Sequence, residues 1–249
     1  MKQNFDLPQT IGAWGSKDYK PNNFTPVTPG YFTAVKGLDV LPPSFVEHLP
    51  DLDNKKSGFV IKRYRDERIK YLFNDDDCPL FLNKEDSGNY SLVDTSRLLE
   101  ERQKMLLDYL GDDKDLILTS YFLVDVDEKK NPSLYEIQER VPDQFGLDNI
   151  HYSADSFDRE KLQRLVDNLE KLVRVIERMI EDNEHPYFSK YIPDWNDKNL
   201  FITPDGEIRI FDSNSFDKKD SVGSSKKIMM LRRQVRDLVK SIKSSPLYR

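Results

Sequence analysis

The stretch Ile192-Pro193-Asp194-Trp195-Asn196-Asp197-Lys198-Asn199-Leu200-Phe201-Ile202-Thr203-Pro204-Asp205-Gly206-Glu207-Ile208-Arg209-Ile210-Phe211-Asp212 decides how the chain is read. Leu200-Phe201-Ile202-Thr203 and Glu207-Ile208-Arg209-Ile210-Phe211 are short β-rich runs around Pro204-Asp205-Gly206. Two such runs about a Pro-Asp-Gly turn predict a hairpin. A hairpin returns the chain on itself, so Asn199 and Asp212 are expected side by side at its open end. Asp194 precedes Asn199 by five residues in a polar loop. Carboxylate and amide oxygens gathered at one loop-rich end suit a hard divalent cation that holds phosphates. Asp194, not needed for that cation, is left to orient or deprotonate a hydroxyl.

Upstream of this loop, Leu162, Leu165, Val166, Leu169, Leu172, Val173, Ile176, Met179 and Ile180 recur in steps of three and one. That spacing predicts a long helix with one apolar face, capped by Ser156 or Asp158. Downstream, a basic amphipathic helix is expected over about 226–242, with Met229, Leu231, Val235, Leu238, Val239 and Ile242 on its apolar side. Further from the loop, Phe59 to Tyr64, Ile69 to Phe73, Pro79 to Leu82, Leu116 to Val126 and Leu134 to Val141 read as strands. A helix opened by Asp94 or Thr95 and closed by Gly111 falls among them. Residues 1–57 are punctuated by Pro8, Pro21, Pro26, Pro29, Gly30, Pro42, Pro43 and Pro50 and read as an N-terminal extension. The expected organisation is therefore an extension over 1–57, an antiparallel sheet with a helix over 58–141, and a helical part with the loop and hairpin over 142–249.

Composition narrows the function classes. The chain has 249 residues, 33% charged and 11% aromatic, the latter too rich for a disordered chain. No apolar run approaches the roughly 20 residues that span a bilayer, and the N-terminus has no apolar leader, so a soluble, cytoplasmic protein is expected. A single cysteine, Cys78, excludes an internal disulfide, and three dispersed histidines, His48, His151 and His185, form no metal-ligand spacing. Net charge is -6, yet residues 218–249 carry ten Lys and Arg against two Asp. The tail is thus +8 and the preceding 217 residues -14. An acidic body does not suit a nucleic-acid binder, whereas the basic C-terminal helix suits an acidic partner.

The loop and hairpin resemble the protein-kinase-like superfamily, which includes small-molecule phosphotransferases of the aminoglycoside and choline kinase type. Its catalytic loop sets an Asp five residues before an Asn, then a strand, a turn, a strand and a metal-binding Asp. The likeness is close over 194–212 and extends to element order over 58–245. It implies an α+β, two-lobed protein-kinase-like fold with a truncated C-terminal lobe, since only 37 residues follow Asp212. It also implies ATP and Mg²⁺ as ligands, Asp194 as catalytic base, and Asn199 and Asp212 as metal ligands. By the same resemblance Lys62 pairs with the nucleotide phosphates, Lys84 being its rival, and Glu101 is that lysine's helix partner. The strand from Leu134 would enter the hinge, with Gln138, Glu139 and Val141 against adenine.

Departures accompany the likeness. Ile192-Pro193 replaces the His-Arg or His-Gly that usually precedes the catalytic Asp, and Asn196 stands where a lysine or histidine is common. Ser213-Asn214 follows Asp212 in place of Phe-Gly, and no glycine-rich phosphate loop precedes Lys62. The expectation is an ATP- and Mg²⁺-dependent phosphotransferase acting on a hydroxyl of a small acceptor. Its alternative is a catalytically inactive pseudokinase that binds nucleotide or another protein.

Overall fold

The computed structural model describes residues 33–38, 59–64, 92–126, 132–141, 145–147, 157–211, 213, 216–219 and 222–248. It is a mixed α and β structure whose chain divides into two units. The first comprises Met1–Glu101 and Ser120–Arg140, the second Arg102–Thr119 and Val141–Arg249.

The first unit is built on a four-stranded antiparallel sheet of β1 (Thr33–Leu38), β2 (Phe59–Tyr64), β3 (Ser120–Val126) and β4 (Pro132–Glu139), ordered β1-β2-β4-β3. β1 falls within the segment expected to be an extension, and it pairs with β2 from Thr33↔Tyr64 to Leu38↔Phe59. Strand side chains alternate between faces. Lys62, Tyr64, Glu136, Gln138, Ser120 and Phe122 therefore share one face, because Lys62 lies opposite Glu136, Glu136 opposite Phe122, and Gln138 opposite Ser120. Helix α1 (Leu92–Leu110) starts in this unit, where Leu92 and Leu99 pack with Tyr64, Phe122, Val124 and Leu134. That packing explains why the helix begins at Leu92, ahead of the capping residues expected at 94 or 95. Thr95 is itself wholly buried.

The expected strands at 69–73 and 79–82, together with Cys78, Lys84, His48 and His151, lie outside the described residues.

Gly111, at φ +59, ends α1 in the left-handed region that glycine adopts most cheaply. A 3₁₀ turn over Gly111–Leu116 follows where a strand was expected to begin. Leu116 and Ile117 are drawn into the core of the second unit, and Leu118 N donates to Ile210 O at 2.9 Å, so β3 starts only at Ser120.

The second unit's core is organised by helix α2 (Arg159–Glu181). Asp158 caps it by accepting from Lys161 N at 2.9 Å. Leu162, Leu165, Val166, Leu169, Leu172, Val173, Val175, Ile176 and Met179 are buried, each contributing about 1.5–3 kcal/mol. Around it lie β5 (Phe145–Gly146), β7 (Leu200–Ile202) and β8 (Ile208–Ile210) in one sheet, and β6 (Tyr191–Pro193) paired with β9 (Phe216–Lys218) in another. Helix α3 (Val222–Ser244) closes this unit, burying Ile228, Leu231, Val235, Leu238, Val239 and Ile242. Met229, expected on the buried side, is 40% exposed. Ile228 takes its place, because it is three residues from Leu231 and so on the same face.

Candidate active site

The hairpin forms as its turn chemistry requires. β7 and β8 pair from Leu200↔Ile210 to Ile202↔Ile208. Gly206 adopts φ +81, and a Cβ there would collide with the main-chain oxygen of Lys161. Asn168 Nδ2 donates to Gly206 O at 3.1 Å, so the turn is docked on α2. At the open end Phe211 N donates to Asn199 O at 3.0 Å, which brings the return strand back beside Asn199.

The loop between β6 and β7 is pinned by three buried side chains, Pro193, Trp195 and Leu200, while Asp194, Asn196, Asp197 and Asn199 remain half-buried. Trp195 is wholly buried in the core, and its Nε1 has no acceptor among the described residues. Asn196 caps the short 3₁₀ turn Asp197–Asn199 by accepting from Lys198 N at 2.9 Å. Asn199 Nδ2 donates to Asp194 O at 3.3 Å, which commits the amide nitrogen, and Oδ1 meets no donor among the described residues. Asp194 Oδ1 accepts from Lys227 Nζ on α3 at 2.9 Å. Its Oδ2 meets no donor among the described residues. The pair β6–β9, with Pro193↔Phe216, sets the strand entering Asp194 against the strand that follows residue 212.

Asp212 itself lies outside the described residues. Among those described, no group of three or more His, Cys, Asp or Glu side chains is placed to hold a metal ion. Asn199 Oδ1 is an oxygen donor of the kind that Mg²⁺ accepts. A cation at this loop would therefore depend on Asn199 and Asp212 together.

The remaining expected site residues are in the first unit, apart from Val141. Lys62 is buried, and its Nζ lies 3.5 Å from Glu136 Oε1. Glu136 is wholly buried and fully engaged: Ser120 Oγ donates to Oε1 at 2.6 Å and Tyr64 OH to Oε2 at 2.9 Å. Gln138 Nε2 continues the chain of contacts to Ser120 Oγ at 2.8 Å. Glu101 is exposed on α1, so the carboxylate beside Lys62 is a strand residue. Geometry explains the choice: Glu136 stands directly across the ladder from Lys62. Glu139 is half-buried and pairs with Phe59 at the end of β4, and Val141 is half-buried just beyond it.

Two residues of this region escaped the sequence reading. Glu136 carried a usable signal, being an acidic residue between Tyr135 and Ile137 on an otherwise apolar strand. Lys227 carried none, since only the packing of α3 brings it to Asp194.

A second cluster lies at the C-terminal end of α2. Asp182 Oδ1 accepts from Glu184 N and His185 N, and Tyr109 OH donates to Oδ2 at 2.9 Å. His185 Nδ1 accepts from Tyr187 N and Phe188 N, so this imidazole nitrogen serves the backbone turn. The His185 N–H bond foremost, with the Tyr109 hydroxyl and Glu184 N–H, holds the Asp182 carboxyl below its usual range. Burial first, and the hydrogen bond to the Asp182 carboxylate second, push the Tyr109 hydroxyl well above its usual value.

No protein-family model matches the chain, and no curated protein matches its sequence. Among the described residues no helix is long and apolar enough to cross a membrane.

Proposed function

We propose that the chain is an ATP- and Mg²⁺-dependent phosphotransferase of two-lobed protein-kinase-like fold with a reduced second lobe. Its acceptor is a hydroxyl of a small molecule. The observation that carries this reading is the pinned loop, in which Asn199 is tied to the Asp194 carbonyl while Asp194 Oδ2 and Asn199 Oδ1 meet no donor among the described residues. Element order supports it too: a sheet with an intervening helix, a long amphipathic helix, the Asp–Asn loop and a hairpin returning beside Asn199.

Within this reading Asp194 Oδ2 accepts the proton of the acceptor hydroxyl as that oxygen bonds to the terminal phosphorus and the bond to the ADP oxygen breaks. Lys227, held on Oδ1, keeps the carboxylate oriented with Oδ2 toward the acceptor. Asn199 and Asp212 would hold Mg²⁺, which neutralises phosphate charge. The burial of Pro193, Trp195 and Leu200 fixes the loop, and phosphoryl transfer draws mainly on such positioning and on charge stabilisation.

A second reading, a catalytically silent relative that binds nucleotide or protein, is favoured by the state of Lys62. That lysine is buried against Glu136, a pairing that competes with any role at phosphate. Turnover separates the two. Incubation with Mg·ATP and a panel of small hydroxyl compounds is expected to release ADP, and Asp194→Ala and Asp212→Ala are each expected to abolish release. Release that persists in both variants overturns the phosphotransferase reading. Nucleotide binding with no turnover on any acceptor or water selects the silent one.

A further inference from the structure

The α2–α3 seam carries an arrangement of charge that the proposed reaction does not use. Lys243 Nζ lies 2.6 Å from Glu170 Oε1, and Arg236 pairs with Glu177, which Arg232 also approaches at 3.7 Å. Ascending α2 from 170 to 177 thus corresponds to descending α3 from 243 to 236, an antiparallel ladder of opposite charges. Its middle rung breaks the rule. Arg174 on α2 and Lys240 on α3 stand there, both exposed, and neither has a carboxylate partner among the described residues. Together with Glu170, Val173, Arg236, Val239 and Lys243 they line an open groove of about 630 Å³.

Four cations and one carboxylate surround that groove, over a floor of two nearly buried valines. Like charges across a helix seam are destabilising unless something neutralises them. The body of this chain is acidic, and carboxylates serve the rungs on either side, so a surplus here marks a place where the missing negative charge arrives from outside. The planar fork of Arg174 can hold two oxygens of one phosphate, and Lys240 adds a point charge opposite. The volume matches small-molecule sites. We infer that the Arg174–Lys240 rung is a binding site for a compact, multiply charged phosphate anion, of the size of a diphosphate or triphosphate. The Glu170–Lys243 and Glu177–Arg236 pairs hold the two helices at the spacing this anion requires. The inference is independent of the phosphotransferase reading.

The test is calorimetric titration of the full chain with sodium pyrophosphate and sodium tripolyphosphate, in EDTA and about 0.1 M salt, where exposed charges are screened beyond about 10 Å. EDTA removes the Mg²⁺ that the Asn199–Asp212 site would need. Both polyphosphates are expected to bind one per chain, with orthophosphate at least tenfold weaker. Arg174→Gln/Lys240→Gln should weaken binding at least tenfold while leaving the melting temperature equal or higher, because it removes a repulsion. Lys104→Gln/Lys226→Gln, which removes the same charge elsewhere, should leave the affinity unchanged. Absent binding by the wild-type chain, equal binding by the Arg174/Lys240 variant, or equal losses in both variants would each overturn the inference. Loss of polyphosphate binding with Asp212→Ala instead would place the anion at the catalytic loop and overturn it as well.

Discussion

Two lysine–carboxylate pairs, one in each unit, invite comparison. Lys62 and Glu136 sit 3.5 Å apart with side chains 8% and 0% exposed. Lys227 and Asp194 sit 2.9 Å apart with side chains 49% and 26% exposed. Solvent screens the closer pair, and Asp194 Oδ2 meets no donor among the described residues. The longer pair is locked in a network where every Glu136 oxygen has a donor. Burial, more than distance, sets how strongly each pair is screened and what breaking it is expected to cost. The lightly held carboxylate is the one that the proposed reaction uses.

The largest expected effect comes from breaking the buried pair. Lys62→Met leaves Glu136 charged and uncompensated, and should cost about 3–5 kcal/mol in chemical denaturation. Lys62→Met/Glu136→Leu should recover most of that loss. A single variant as stable as wild type would mean that Lys62 reaches solvent and that the contrast between the two units is false.

Next comes the geometry that brings the second pair's loop together. Gly206→Ala adds the cost of a left-handed alanine, about 1–2 kcal/mol, to a collision with the Lys161 main chain of about 1–3 kcal/mol. A loss of about 2–5 kcal/mol in urea unfolding is expected from the two together. A neutral result would show that the hairpin is not docked on α2.

Much of this was legible in the sequence, for reasons that differ by element. The α2 stripe and the Pro204-Asp205-Gly206 turn are local signals, one periodic and one chemical, and both elements formed where expected. The hairpin's return to Asn199 follows from them. What stayed hidden is long-range. Lys62 has Glu136 beside it because of strand register, 74 residues apart in sequence. Lys227 reaches Asp194 because of how α3 packs, and β1 joins the sheet although its surroundings are rich in proline. Leu116 and Ile117 read as a strand, yet burial in the second unit takes them into a 3₁₀ turn and a single bridge to Ile210.

Between the two pairs in degree of burial lies Tyr109–Asp182, which should report on pH at both ends of the range. The depressed Asp182 carboxyl contributes stability above the ordinary value of 3.8, lost as pH falls through its lowered value. The raised Tyr109 hydroxyl contributes stability below the ordinary value of 10.0, lost as pH climbs beyond it. Melting temperature should fall at both extremes. Asp182→Asn should flatten the acid limb, and Tyr109→Phe the alkaline limb. Unchanged limbs in both variants would remove this cluster from the account.

The smallest effect belongs to the exposed pair. Lys227→Ala should change stability by less than about 1 kcal/mol. ADP release should fall severalfold, as the carboxylate loses its oriented partner. A stability loss like that of Lys62→Met would erase the distinction between the two pairs.

Under the proposed function, Asn199 and Asp212 would gather a magnesium-bound triphosphate beside Asp194. Calorimetric titration of ATP into the full chain, with and without Mg²⁺, tests it most directly. Binding that requires Mg²⁺, and that Asn199→Ala and Asp212→Ala each weaken at least tenfold, is the predicted result. Affinity indifferent to Mg²⁺ and to both substitutions would contradict it.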